Sequence, residues 1–160
     1  MIKIKLIAMG KLKEKHFDLS AREYIKRLSA FCNLEIIEIT PERLPDNPSE
    51  NQILMALKAE AANIKKKIPK GSLRVAMCIE GKEMESVDFS RYISSAAVSG
   101  KDSVAFIIGS SYGLDEDFKK TADIKMSMSQ MTFPHELARV MLLEQIYRAF
   151  KIMAGGTYHK

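Results

Sequence analysis

The chain has 160 residues, of which 46% are hydrophobic and 28% are charged. This size and composition are typical of one compact globular domain and argue against a disordered or low-complexity chain. The net charge of +5 is modestly basic, which favours a polyanionic partner such as RNA without identifying one. Cys32 and Cys78 stand far apart, with no Cys-x-x-Cys and no histidine cluster, so neither a disulfide framework nor a metal site is predicted.

The first residues predict a strand, because apolar and basic residues alternate from Met1 to Ala8. Lys3 and Lys5 interrupt any signal-peptide core, and no later stretch approaches the roughly 20 apolar residues that cross a bilayer. We therefore expect a cytosolic protein. Apolar residues then recur at helical spacing between Lys13 and Phe31, which predicts an amphipathic helix.

The next predicted elements are a strand over Leu34–Ile39 and a helix that begins at Ser49. Three prolines between residues 41 and 48 exclude regular structure there, and Ser49-Glu-Asn-Gln52 has the pattern of a capping box for a helix running to about Lys67. A third strand follows over residues 73–79. Ser86 is then the predicted cap of a helix that stops at Gly100.

Two strand ends and two loops dominate the second half of the chain. A buried strand over residues 104–108 ends in the small residues of 109–113, and a strand over 124–128 leads through 129–133 into a helix over 134–153. Ligands bind at the carboxyl ends of strands in open α/β sheets, so these loops are candidates for a binding site. The spacing fits neither G-x-G-x-x-G nor a P-loop, which disfavours nicotinamide or ATP chemistry.

This alternation of strands and helices predicts a mainly parallel sheet with flanking helices. The last helix is apolar around most of its circumference, so both of its sides need covering. One side can pack on its own sheet, and we expect a second subunit to cover the other.

The chain also resembles a known family along essentially its whole length. The strings that carry the likeness are FIIGSSYGL, TFPHELARV, EQIYRAFKI and the terminal TYHK, together with MIKIKLIAMGKLKEKH, LEIIEI and CIEGK. They resemble the RlmH family, SPOUT-class methyltransferases that act on N3 of a pseudouridine in 23S ribosomal RNA. The family usually has a Gly-Gly pair in the first loop, whereas this chain has Ser110 at the second position.

The resemblance implies one SPOUT domain over residues 1–160, a trefoil knot in the carboxyl-terminal half and a homodimer acting on the assembled ribosome. It implies S-adenosylmethionine as methyl donor, a chemistry that needs no metal and no covalent nucleophile. The implied donor-binding residues are Met77, Gly109, Met128, Ser129, Gln130, Met131, Thr132 and Phe133.

The resemblance also places the Tyr158-His159-Lys160 terminus at the active site, where it reaches the partner's donor and holds the nucleotide. The sequence does not fix the base that removes the N3 proton. His135 is one candidate, because it lies in the first helical turn, where the helix dipole favours neutral imidazole. Arg139 and Arg148 are predicted to bind substrate, although Arg148 and Glu144 are also spaced as a structural ion pair.

Two other functions stay open. The chain can be a non-catalytic ribosome-binding factor with a methyltransferase-like fold, in which case S-adenosylmethionine binds weakly or not at all. It can also be a SPOUT enzyme that modifies a different RNA such as tRNA, because substrate choice depends on surface shape.

Overall fold

A computed structural model of the protein describes residues 1–159, so Lys160 lies outside the described residues. Strands and helices alternate strictly along the chain, as predicted. The elements are β1 (Ile2–Met9), α1 (Lys15–Leu28), β2 (Cys32–Ile39), α2 (Glu50–Lys65), β3 (Leu73–Lys82), α3 (Ser86–Val98), β4 (Ser103–Ile108), α4 (Glu116–Lys119), β5 (Ile124–Met126) and α5 (His135–Met153).

The five strands form one sheet in the order β2-β1-β4-β3-β5, and every pairing between them is parallel. Helices α1, α3 and α5 pack on one face, against side chains such as Ile4, Val75 and Phe106. Helices α2 and α4 pack on the other face, against Ile7 and Ile107. All six residues of β4 are buried, because both faces of this central strand are covered. The parallel sheet is confirmed, whereas the knot stays a prediction.

The helix termini test the capping signals in the sequence. The capping box of α2 is confirmed: the Ser49 hydroxyl accepts the Gln52 backbone N–H, and the Gln52 side-chain oxygen accepts the Ser49 backbone N–H. The predicted cap of α3 is wrong. Its N-cap is Glu85, and the Ser86 hydroxyl donates instead to the side-chain oxygen of Gln145 on α5, at 2.9 Å.

Helix α5 lies between α1 and α3, which explains most of its apolar circumference within one subunit. Its buried side chains include Leu142, Ile146 and Phe150, and the Ser90 hydroxyl of α3 donates to the Ala149 carbonyl oxygen at 3.0 Å. The apolar character of α5 therefore does not by itself require a second subunit. Within residues 1–159, none of the helices is both long enough and apolar enough to cross a bilayer.

Candidate functional site

A cavity of about 480 Å³ opens at the carboxyl ends of β3, β4 and β5, where the parallel sheet predicts a ligand site. We call it the main cavity. Its walls come from the end of β3, the loop after β4, the loop after β5 and the start of α5. The lining residues are 77–80, 108–114, Lys119, 126–129, 131–133, His135 and Ala138.

The main cavity gathers almost all of the residues proposed to hold the methyl donor. The exception is Gln130, which is exposed and lies outside the lining. The residues that line the cavity are Met77, Gly109, Met128, Ser129, Met131, Thr132 and Phe133. They come from three separate segments of the chain. The fold therefore brings together around one cavity seven residues that only the family resemblance had linked.

Gly109 is required by the loop in which it lies. A Cβ atom there would stand 2.3 Å from the Gly113 carbonyl oxygen, well inside contact distance. The turn is closed by the Gly113 N–H, which donates to the Ser110 carbonyl oxygen at 2.9 Å, and Gly113 itself has a φ of +84°, which favours glycine. The two glycines thus fix the shape of the loop that forms one wall of the cavity.

Serine side chains shape the loop after β5. The Ser127 hydroxyl donates to the Ser129 carbonyl oxygen at 2.8 Å, and the Ser129 hydroxyl accepts the Met131 backbone N–H at 3.0 Å. These local hydrogen bonds fix the conformation of the segment, although it forms neither helix nor strand. Met131 remains 73% exposed at the mouth of the cavity, where a ligand can cover it.

Charged and thiol groups on the opposite wall were missed by sequence reasoning. Lys119, nearly buried, donates to the carboxylates of Glu80 and Glu116. Burial alone would lower the pKa of Lys119, but these hydrogen bonds outweigh it and raise the pKa above its usual value. The Lys119 ammonium in turn lowers the pKa of Glu80, and burial raises the pKa of the Cys78 thiol. The positive charge of Lys119 in this wall is therefore neutralised by neighbouring carboxylates.

A neighbouring cavity of about 540 Å³ lies at the carboxyl ends of β1 and β2. Only a narrow ridge separates it from the main cavity, because Ser110, Ser111, Tyr112 and His135 line both. The ridge is fixed from below by the buried carboxylate of Glu60, which accepts the Ser110 hydroxyl at 2.9 Å. The serine that replaces the second family glycine thus anchors the ridge to α2.

Side chains at the start of α5 hold the segment between β1 and α1 in place beside the two cavities. The Glu136 carboxylate accepts the backbone N–H groups of Lys13 and Glu14 at the beginning of α1. Arg139 is only 2% exposed; it donates to Glu38 and to the Gly10 carbonyl oxygen, both at 2.7 Å. Its Nε has no partner within the described part of the chain. Arg139 is therefore engaged inside the subunit, and this geometry does not support its predicted contact with substrate.

The terminal segment packs away from both cavities of its own subunit. The Tyr158 hydroxyl donates to the Glu144 carboxylate at 3.1 Å, and its ring lies 5.0 Å from that of Tyr147. Arg148 pairs with Glu144, as its spacing suggests, and covers the Tyr158 ring at 4.7 Å. Burial and the Glu144 carboxylate together raise the pKa of Tyr158 to about 12. His159 is exposed.

Comparison with known proteins decides the family. The profile described as "Predicted SPOUT methyltransferase" matches residues 2–159. A relative from Streptococcus pyogenes, named "Ribosomal RNA large subunit methyltransferase H", is 49% identical over 161 residues, covering 99% of this chain and 100% of the relative. The chain belongs to the RlmH family of SPOUT methyltransferases. A Clostridium perfringens relative named "Ribosomal RNA large subunit methyltransferase H 1" is 48% identical, covering 98% of this chain and 99% of its own.

A solved structure supports the same fold. A probable methylase family protein from Haemophilus influenzae Rd KW20 superposes with a TM-score of 0.54 at 16% identity, covering 99% of this chain and 70% of the other. As a SPOUT methyltransferase, the RlmH-family chain uses S-adenosylmethionine as its methyl donor. The main cavity suits this donor, since apolar walls for its adenine and aliphatic chain lie beside strand-end backbone groups that can pair with its polar edges.

Proposed function

We propose that this enzyme methylates N3 of a pseudouridine in 23S ribosomal RNA. The observation that carries the proposal is the gathering of the family's donor residues around one cavity, in a chain nearly half identical to relatives named as large-subunit ribosomal RNA methyltransferases. The two competing functions are methylation of a tRNA and a non-catalytic role in ribosome binding. No feature of either cavity favours them.

Methyl transfer to N3 needs a deprotonated nitrogen aligned with an activated methyl group. S-adenosylmethionine, when bound, would supply that methyl from its sulfonium, and the neutral thioether that remains would leave without acid catalysis. The protein must therefore align the acceptor and take one proton from N3. His135 is our candidate for the base that accepts this proton, because it lies on the ridge between the two cavities. Its position permits contact with a base that reaches the ridge from either side.

We propose that the terminal Tyr158, His159 and Lys160 act in the active site of a partner subunit. Tyr158 packs on α5 of its own chain and does not line either of the two cavities described above. A tail anchored in this way can serve catalysis only if another copy brings its own main cavity to it. The proposal therefore requires a homodimer, in which Arg148, only partly buried beside Tyr158, is a further candidate for contact with RNA.

We propose the assembled ribosome in the cytoplasm as the setting of the reaction. The chain has one small sheet and no added RNA-binding module among residues 1–159, and its net charge is only +5. A site this small gains specificity most readily from the shape of a large, preassembled target.

The deciding experiment is transfer of labelled methyl from S-adenosylmethionine to ribosomes that lack the modification. Isolated large subunits, naked ribosomal RNA and tRNA are tested in parallel, and the labelled nucleotide is identified by mass spectrometry. We expect label on N3 of a pseudouridine in 23S RNA, strongest with assembled ribosomes. Label only in tRNA would overturn the proposed substrate. Absence of label in every RNA, together with no binding of S-adenosylmethionine, would overturn the enzymatic function.

A further inference from the structure

The neighbouring cavity has a position that suits a second reactant. It lies beside the main cavity and shares the ridge of Ser110, Ser111, Tyr112 and His135 with it. In a direct transfer the reacting atoms approach to roughly 3–3.5 Å, so the acceptor must bind against the donor site. We propose that the neighbouring cavity binds the target base after the base has left its stack in the RNA. This inference rests on the proposed RNA methyltransferase function.

The walls of the neighbouring cavity suit a flat aromatic ring. Met9, Ile39, Pro41 and Leu44 give it apolar sides, and the half-exposed ring of Tyr112 stands at the ridge. Unstacked bases are held in proteins by aromatic and apolar surfaces of this kind. Its volume of about 540 Å³ lies in the range of small-molecule sites.

Polar groups in the neighbouring cavity suit a pseudouridine base, whose N1–H donor lies beside a carbonyl acceptor and is separate from the nitrogen that is methylated. The Glu42 carboxylate makes no hydrogen bond or ion pair to any other described residue, so it can accept such an N–H. The Thr40 side chain adds a hydroxyl that can donate to a carbonyl. The acidic character of this edge favours a base over a phosphate as the occupant.

Buried contacts hold this cavity in shape. Glu60 is 4% exposed and uses both carboxylate oxygens, accepting the Glu42 backbone N–H at 3.1 Å and the Ser110 hydroxyl at 2.9 Å. One side chain of α2 therefore ties the loop after β2 to the ridge. A preformed cavity of this kind loses little freedom when a base enters it.

Cations at the rim suit the phosphates that flank an extruded base. Lys11 and Lys13 line the neighbouring cavity, are exposed, and form no ion pair with any residue from 1 to 159. In α1, by contrast, the two arginines are neutralised, since Arg22 pairs with Asp18 and Arg27 with Glu23. Glu136 and Arg139 hold the backbone of residues 10–13, which keeps both lysines at the rim, where they can meet phosphates.

Filling the neighbouring cavity tests the inference. Leu44 lies in irregular structure, so Leu44→Trp adds bulk there without breaking a helix or strand. We expect single-turnover methylation of unmodified ribosomes to fall at least roughly 30-fold, while binding of S-adenosylhomocysteine changes less than about twofold. The matched control is Val98→Trp, which is 90% exposed at the end of α3, a helix that leads into the amino-terminal end of β4. It should methylate at the wild-type rate.

The outcomes separate the two proposals. Wild-type protein that methylates no RNA overturns the proposed function, whatever the variants do. Active wild-type protein with an equally active Leu44→Trp variant overturns only the role of the neighbouring cavity. Should Leu44→Trp fail to fold, ultraviolet crosslinking of wild-type enzyme to ribosomes containing 4-thiouridine replaces it. Crosslinked peptides containing residues 40–44 support the inference, and crosslinks confined to other surfaces overturn it.

Discussion

The carboxylate of Glu136, in the first turn of the last helix, supports the start of the first helix by accepting the backbone N–H groups of Lys13 and of the N-cap residue Glu14. Helix α1 has no side-chain cap of its own, because its N-cap residue is Glu14 and makes no such bond. The residue beside His135 therefore completes a helix that begins more than a hundred residues earlier. This contact joins the floor of the site to the start of the chain.

Replacing Glu136 by Gln should destabilise the fold in a pH-dependent way. The hydrogen bond from the Lys13 amide lowers the pKa of the Glu136 carboxyl below its usual value of 4.5. Its contribution is thus complete above about pH 4.5 and is lost as the pH falls through the lower folded-state pKa. We expect Glu136→Gln to cost about 1–2 kcal/mol in urea unfolding at pH 7.

The difference between wild type and Glu136→Gln should shrink as the pH falls further below about 4.5. The control is Glu83→Gln, an exposed carboxylate outside any helix or strand, which should leave unfolding unchanged at both pH values. An equal loss of stability at pH 7 and in acid would show that the carboxylate charge is not what supports the start of α1.

Gly109→Ala should damage donor binding through the shape of its loop. The added Cβ would lie 2.3 Å from the Gly113 carbonyl oxygen, so the backbone must move. We expect affinity for S-adenosylhomocysteine, measured by calorimetry, to fall at least tenfold, which corresponds to about 1.4 kcal/mol. Ser110→Gly, the neighbouring change, should keep binding within about twofold while losing the hydrogen bond to Glu60 and about 1 kcal/mol of stability. Equal binding by Gly109→Ala would contradict this account.

Cys78 should report occupancy of the main cavity. Burial raises the pKa of its thiol, so alkylation by N-ethylmaleimide should be slow at pH 7 and accelerate as the pH rises. S-adenosylhomocysteine should protect it, because Cys78 lines the cavity. Cys32 is 2% exposed with a pKa raised to about 11, and serves as an internal reference that should stay unmodified. Mass spectrometry of alkylated peptides with and without the nucleoside gives the comparison; identical rates would place the donor elsewhere.

Deleting residues 157–160 should abolish methylation and leave a folded dimer. The packing lost among the described residues includes that of Tyr158 on Tyr147, Arg148 and Glu144. If the tail acts on the partner subunit, mixing this truncated chain with His135→Ala restores one complete site in each mixed dimer. We expect about a quarter of wild-type activity after subunit exchange. A mixture that stays inactive would show that tail and His135 must belong to the same chain.

Local patterns predicted the elements well, because each strand and helix carries its buried face in its own sequence. The alternation in β1, the apolar run of β4 and the capping box at Ser49 were all sufficient for this purpose. Contacts between distant segments were not predictable in the same way. Ser86 has the composition of a cap but bonds to Gln145, and α1 ends at Leu28 because the chain turns there into β2.

The site shows the same division between local and distant information. The strand-end loops and their glycines mark the main cavity in the sequence. The neighbouring cavity combines residues after β1, after β2 and after β4, and no local period connects them. Arg139 illustrates the limit. Its place four residues after His135 suggested a contact with RNA, yet its guanidinium donates to Glu38 and to the Gly10 carbonyl oxygen.

The place of β1 in the sheet has a consequence for synthesis. β1 pairs with β4 through Lys3 and Ser103, so one edge of β1 stays unpaired until about 100 further residues have been translated. At ordinary elongation rates that wait lasts roughly 5–20 seconds. During it, the nascent β1–β2 pair presents an open edge to other chains. Folding of this enzyme should therefore be slow, limited by the closing of its longest loops.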